Sequence, residues 1–174
     1  MLYRIYPTQD TSITSFDPSV PNLDVRYSNV GASEIMDLYK YGSNRSEVLV
    51  RFADSDVADI PSNSTVYLRL ANAQHSQTLP AGYSVEIRPL EQEWVEGDGL
   101  DMIAYTDVGP ASYIYPTTNT TWSLGSGTLS SSFFFNTGAE DLFADVTHMT
   151  SSIPYGFDIF IDPFLAGNAY IKKF

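Results

Sequence analysis

Glu47-Val48-Leu49-Val50-Arg51-Phe52 sets Val48, Val50 and Phe52 on one side of an extended chain and Glu47 and Arg51 on the other. Period two is the geometry of a strand, whose successive side chains point to opposite faces. The alternation returns in Thr65-Val66-Tyr67-Leu68-Arg69-Leu70, with Val66, Leu68 and Leu70 on the apolar side. Tyr83-Ser84-Val85-Glu86-Ile87-Arg88 turns Tyr83, Val85 and Ile87 one way, and Phe157-Asp158-Ile159-Phe160-Ile161-Asp162 repeats the pattern near the end. Weaker strands fit residues 2–6, 12–15, 35–41, 122–124, 132–135 and 169–174. Between them lie turn formers such as Asp17-Pro18, Ile60-Pro61-Ser62-Asn63, Leu79-Pro80-Ala81-Gly82 and Ile153-Pro154-Tyr155-Gly156. One short helix is predicted around residues 145–149, with Asp145 capping its first turn. Many short strands with little helix predict an all-β fold, an antiparallel two-sheet sandwich of jelly-roll type with long loops. Its predicted core is Phe52, Val50, Leu68, Leu70, Val85, Ile87, Ile159 and Ile161, with Trp94 packed at a strand end. Residues 97–132, rich in Gly, Ser, Thr and Asn, read as a long excursion from the sandwich.

The length of 174 residues suits a single domain covering residues 1–174. Asp and Glu number 21 against 9 Lys and Arg, a net charge of −12. Such a chain repels phosphate backbones and anionic bilayers, which argues against nucleic-acid and membrane partners. Hydrophobic residues make up 43% and charged residues 17%, which separates it from a disordered acidic tail. Cysteine is absent, so disulfides, cysteine nucleophiles and thiolate metal sites are excluded. Met1-Leu2-Tyr3-Arg4-Ile5-Tyr6-Pro7 has no basic leader followed by an apolar run, and no stretch is long and apolar enough to span a bilayer. The expectation is a product made in a cytoplasm.

Three kinds of chemistry are worth weighing. His75 and His148 stand without a Gly-x-Ser-x-Gly nucleophile motif, and they read as surface or packing residues. The run Glu91-Gln92-Glu93-Trp94-Val95-Glu96-Gly97-Asp98-Gly99-Leu100-Asp101 gathers carboxylates. An acidic composition makes such clusters common, so they do not by themselves indicate a glycosidase, and no catalytic residue is assigned. Glu96, Asp98 and Asp101 could bind calcium, a hard cation that takes several carboxylate and carbonyl oxygens, with Gly97 and Gly99 allowing tight turns. Trp122, Tyr105, Tyr113 and Tyr115 lie in or beside polar stretches. They are candidates to stack on a sugar or to line a protein interface.

The order of segments also carries a resemblance. Asp10-Thr11-Ser12-Ile13, Asn29-Val30-Gly31, Val48 to Phe52, Ile60-Pro61 and Val66 to Leu70 are followed by Glu91 to Gly97 and Asp145-Val146-Thr147. This succession resembles the disaggregatase-related DNRLRE sandwiches, jelly-roll-like modules grouped with carbohydrate-binding modules. Tyr3 to Ile13, Asp141 to Thr147 and Ala169 to Phe174 are similar to segments of virion structural proteins from contractile-tailed marine cyanophages. The resemblance implies a non-enzymatic part of a phage capsid, neck, tail or fibre, with a decoration or attachment role. It also implies assembly in a bacterial cytoplasm, contacts with other virion proteins, and self-association into a homo-oligomer. The related proteins are expected to continue with a final strand beyond the segment matched by Phe174. The alternative is a carbohydrate-binding module that recognises a surface polysaccharide.

Overall fold

The computed structural model describes residues 2–15, 25–73, 82–100, 109–122, 131–136, 141–152, 155–161 and 167–172. Among these, nine strands form in chain order: β1 (Gln9–Thr14), β2 (Ile35–Tyr41), β3 (Asn44–Arg51), β4 (Tyr67–Asn72), β5 (Gly82–Pro89), β6 (Ser131–Asn136), β7 (Asp141–Asp145), β8 (Phe157–Ile161) and β9 (Gly167–Lys172). A five-residue helix, α1 (Asp54–Ala58), follows β3, and a 3-10 segment, Thr147–Ser152, follows β7. In that segment the Thr147 amide donates to Asp145 Oδ1 at 3.0 Å, the capping contact expected of an Asp at a helix start.

All strand pairs are antiparallel. The first sheet runs β1-β3-β8-β5-β6 and the second β2-β9-β4-β7. Among the described residues their strands join through the β2–β3 hairpin, which pairs at Lys40↔Arg45 and Tyr41↔Asn44 around Gly42 at φ 60°. Beyond that corner β3 leaves β2 and lies between β1 and β8. The sheets therefore stack as a sandwich, as the alternating segments predict.

Alternation dictates which side chains meet inside. Val48, Val50, Tyr83, Val85, Ile87, Phe157, Ile159 and Ile161 from the first sheet pack on Met36, Leu38, Leu68, Leu70, Leu142 and Ala144 from the second. Met149 and Val146 close one end. Phe52 is half-buried against this core, with its ring edge-on to Phe157 at 6.5 Å. Burial holds the Tyr83 phenol up at about 12.

Two strands depart from the half-buried pattern. β3 is buried continuously from Ser46 to Val50, and all five residues of β8 are buried. Outward from the sheet, Leu49 lies beneath a further layer formed by residues 90–100 and 109–122, and Phe160 lies beneath Arg45 and Arg88. Ile13 and Leu49 on the outer face pack there with Leu90, Trp94 and Ala111, and Trp122 and Tyr155 lie against them. The described part of the predicted excursion is thus a cover for the first sheet. Residues 2–6, expected as a strand, do not form one, and they expose Leu2, Tyr3 and Tyr6. β7 and α1 were not anticipated by the periodicity, because Asp141-Leu142-Phe143-Ala144-Asp145 offers only two inward apolar residues.

Candidate functional site

The outer face of the first sheet carries a set of buried, hydrogen-bonded polar groups. It is built in two parts, a stitched loop and a buried charge cluster.

Asn29 organises the loop. It is fully buried, and its backbone bridges Ile13 of β1. Its Oδ1 accepts from the amides of Gly31 at 3.1 Å and Gly99 at 3.2 Å, while Nδ2 donates to the Ala111 carbonyl at 2.8 Å. The Val30 amide donates to Ser12 O, and the Ala32 amide to Gly99 O. Gly97, Gly99 and Gly109 crowd round the same side chain, and a Cβ on any of them would collide with Asn29. The glycines are needed there because a backbone must approach a buried amide at contact distance. Trp94, 1% exposed, is fixed by its indole N–H, which donates to Tyr155 O at 2.8 Å. The Val95 amide donates to Pro116 O, and the Ala111 amide to Val95 O, closing the layer on itself.

The charge cluster lies alongside. Register puts Glu47 opposite Phe160, Leu49 opposite Asp158, Glu86 opposite Phe160 and Arg88 opposite Asp158. Arg88 donates to Asp158 Oδ2 through Nε at 2.7 Å and approaches the same oxygen through Nη2 at 2.6 Å. The same Nη2 is 4.0 Å from Glu47 Oε2, and Glu47 Oε1 pairs with Arg45 Nη2. Both guanidinium groups sit over the Phe160 ring, Arg45 at 5.0 Å and Arg88 at 4.7 Å from its centroid. The carboxyl side chains are 7% (Glu47) and 2% (Asp158) exposed, against 25% and 43% for the arginines. The acids thus lie beneath and the cations form a lid open to water, a placement that suits the weakly hydrated guanidinium. Burial works against both arginine charges, but the carboxylates outweigh it and keep the two groups above their ordinary values. Burial, then the charge of Glu47, push the Asp158 carboxyl up to about 8, although Arg88 and Arg45 pull the other way.

The residues singled out in the sequence fall in several places. Glu96 is half-buried, and its Oε1 accepts from the Asp10 amide at 3.2 Å. Asp98 is exposed, and Asp101 lies outside the described residues. Among the described residues no three His, Asp or Glu side chains gather as metal ligands would. Trp122 is half-buried in the covering layer, and its indole donates to Ser112 O at 2.8 Å. Tyr115 lies 5.7 Å from the Tyr27 ring, Tyr113 is half-buried near Arg45, and Tyr105 is outside the described residues. His148 is exposed, and His75 is outside the described residues.

Three features went unremarked in the sequence. The Glu47–Asp158 pair is one, since alternation counts both as outward and hence solvated. Another is an open cleft of about 370 Å³ between Thr8, Gln9, Arg51, Phe52, Ala53 and Asp54. Arg51 is held there by Glu93 at 3.7 Å and Asp54 at 3.9 Å. The last is an exposed pair on the second sheet: Tyr67 and Phe143, 58% and 59% exposed, are diagonal neighbours on β4 and β7. Arg69 lies 5.9 Å from the Phe143 ring and forms a 2.6 Å ion pair with Asp141.

No protein-family model, no curated protein and no solved structure matches this chain. Among the described residues no helix is long and apolar enough to cross a membrane.

Proposed function

We propose that this chain is a non-enzymatic structural module of a phage particle, placed on capsid, neck, tail or fibre in a decoration or attachment role. The observation that carries the reading is what the motif residues do. Asn29-Val30-Gly31, Glu91 to Gly97 and Asp145 to Thr147 are the segments on which the resemblance rests, and each is engaged in building the sandwich. Asn29 stitches the covering layer, Trp94 fills it, Glu96 holds the β1 backbone, and Asp145 caps a turn whose Thr147 hydroxyl accepts from the Val66 amide at 2.8 Å. A rigid module with large apolar groups outside, Leu2, Tyr3 and Tyr6 on the N-terminal segment and Tyr41 on the hairpin, suits contacts with other virion proteins or with further copies of itself. Mass spectrometry and cryo-electron microscopy of purified particles test the reading. The protein is expected in stoichiometric amount with its sandwich resolved against a neighbour, and its absence from washed particles removes the proposal.

The second reading, a carbohydrate-binding module, is favoured by Tyr67 and Phe143 beside the Arg69–Asp141 pair. Adjacent exposed rings with a polar rim are what a neutral sugar stacks on. Glycan-array binding that is lost in Tyr67→Ala and Phe143→Ala would support it. Binding lost instead in Trp122→Ala, Tyr113→Ala or Tyr115→Ala would move the site to the covering layer. Calcium at Glu96, Asp98 and Asp101 is tested by titrating the metal against intrinsic Trp94 fluorescence.

A further inference from the structure

Arg88 brings two N–H groups to one oxygen of Asp158, Oδ2, and leaves Oδ1 buried without a hydrogen-bond partner. Arg45 Nε is likewise buried without one, while Glu47 Oε1 is taken up by Arg45 Nη2. An ionised carboxylate is acceptor-only, so an Oδ1 that no donor reaches would be a desolvated acceptor carrying part of the charge, answered by Arg88 through Oδ2 alone. A protonated carboxyl removes that charge and turns Oδ1 into a donor. The charged and titratable groups facing this spot are Arg45 and Glu47 from β3, Glu86 and Arg88 from β5, and Tyr113, which faces Arg45 from the covering layer.

We propose that Glu47 and Asp158 form a buried one-proton site: Asp158 carries a proton on Oδ1, which neutralises one of two carboxyl groups packed beneath the Arg45–Phe160–Arg88 stack. The proton comes from solvent on folding and returns to it on unfolding, and no other bond changes. The raised position of the Asp158 carboxyl agrees with this, and its cause is burial first and Glu47 second. The sign follows from linkage. A group raised from 3.8 when unfolded to about 8 when folded stabilises fully below the lower value and loses that contribution as pH climbs to the upper one.

Urea unfolding of the full chain and of Asp158→Asn across pH measures this directly. The ratio of their folding constants, wild type over variant, should fall about tenfold per pH unit between about pH 5 and 7 and level off above about 8. Effects of carboxylates that do not interact with Asp158 cancel in the ratio. Infrared difference spectra supply a readout that does not depend on the variant folding: wild type should keep a carboxylic-acid C=O band at neutral pH and lose it on titration through about pH 8. Glu47→Gln should move that loss to lower pH, because a like charge is gone. A ratio independent of pH, or a wild-type spectrum with no carboxylic-acid band at neutral pH, overturns the site. A loss unmoved by Glu47→Gln overturns the pairing of the two acids.

Discussion

Asn29 and Trp94 show how much of the covering layer depends on single side chains. Asn29 bonds two amides and one carbonyl at once at a buried site, so truncation removes three hydrogen bonds from buried backbone groups. Each such group costs about 1–3 kcal/mol, so Asn29→Ala should cost several kcal/mol if nothing relaxes, and water entering the gap would reduce that. Chemical denaturation of the variant checks it; a loss below about 1 kcal/mol would mean that the loop docks by its apolar contacts alone. Trp94→Ala removes a large buried ring as well as an N–H bond and should cost about 3–5 kcal/mol. Asp145 works on a smaller scale and with an acid dependence. The Thr147 hydroxyl and amide hold its carboxyl below 3.8, so its contribution is complete above the unfolded value and fades as pH falls. Wild type and Asp145→Ala should therefore melt further apart near neutrality than in strong acid.

Strand position sets the stability of each element. β3 is hydrogen-bonded on both sides, to β1 and β8, and is covered on both faces, whereas β7, among the described residues, pairs with β4 alone and turns Phe143 to solvent. Amide exchange should be slowest at Val48, Leu49 and Val50 and markedly faster at alternate residues of β7, as hydrogen-exchange mass spectrometry would show. Leu49→Ala tests the second core specifically. Its side chain points away from the sandwich interior, so a simple two-layer sandwich would hardly notice the change. Under the covering layer the loss should be about 2–5 kcal/mol. The alternating runs made β3, β4, β5 and β8 legible in the sequence, together with the inward set Val50, Leu68, Leu70, Val85, Ile87, Ile159 and Ile161. The same rule does not reveal that Glu47, Leu49, Asp158 and Phe160 are buried, because period two sorts side chains to two faces without saying what lies over the second. Residues 2–6 failed as a strand for a related reason: an extended apolar pattern needs a neighbouring edge, and the β3 edge is engaged from Thr8, whose amide donates to Arg51 O.

The molecule as a whole carries −12, and self-association must overcome that repulsion. If the proposed particle role includes a homo-oligomer, raising salt from low to physiological ionic strength should strengthen it, because exposed charges beyond about 8–10 Å are then screened. Sedimentation at two salt concentrations checks the direction; weakening with salt would mean that the contact is made by ion pairs.

Composition and alternation were enough for an all-β sandwich, for the inward apolar set, and for excluding cysteine chemistry, because these depend on local side-chain order and on counts. The sequence also placed a turn at Asp145 and a packed role for Trp94. Which acids are buried, which aromatics stay exposed and what the Asn29-Val30-Gly31 segment does were decided only when distant segments met. Glu47 and Asp158 stand 111 positions apart, and Asn29 reaches 82 positions on to Ala111. A local pattern fixes direction along a strand, but desolvation and hydrogen-bond satisfaction depend on what the rest of the chain brings to cover it.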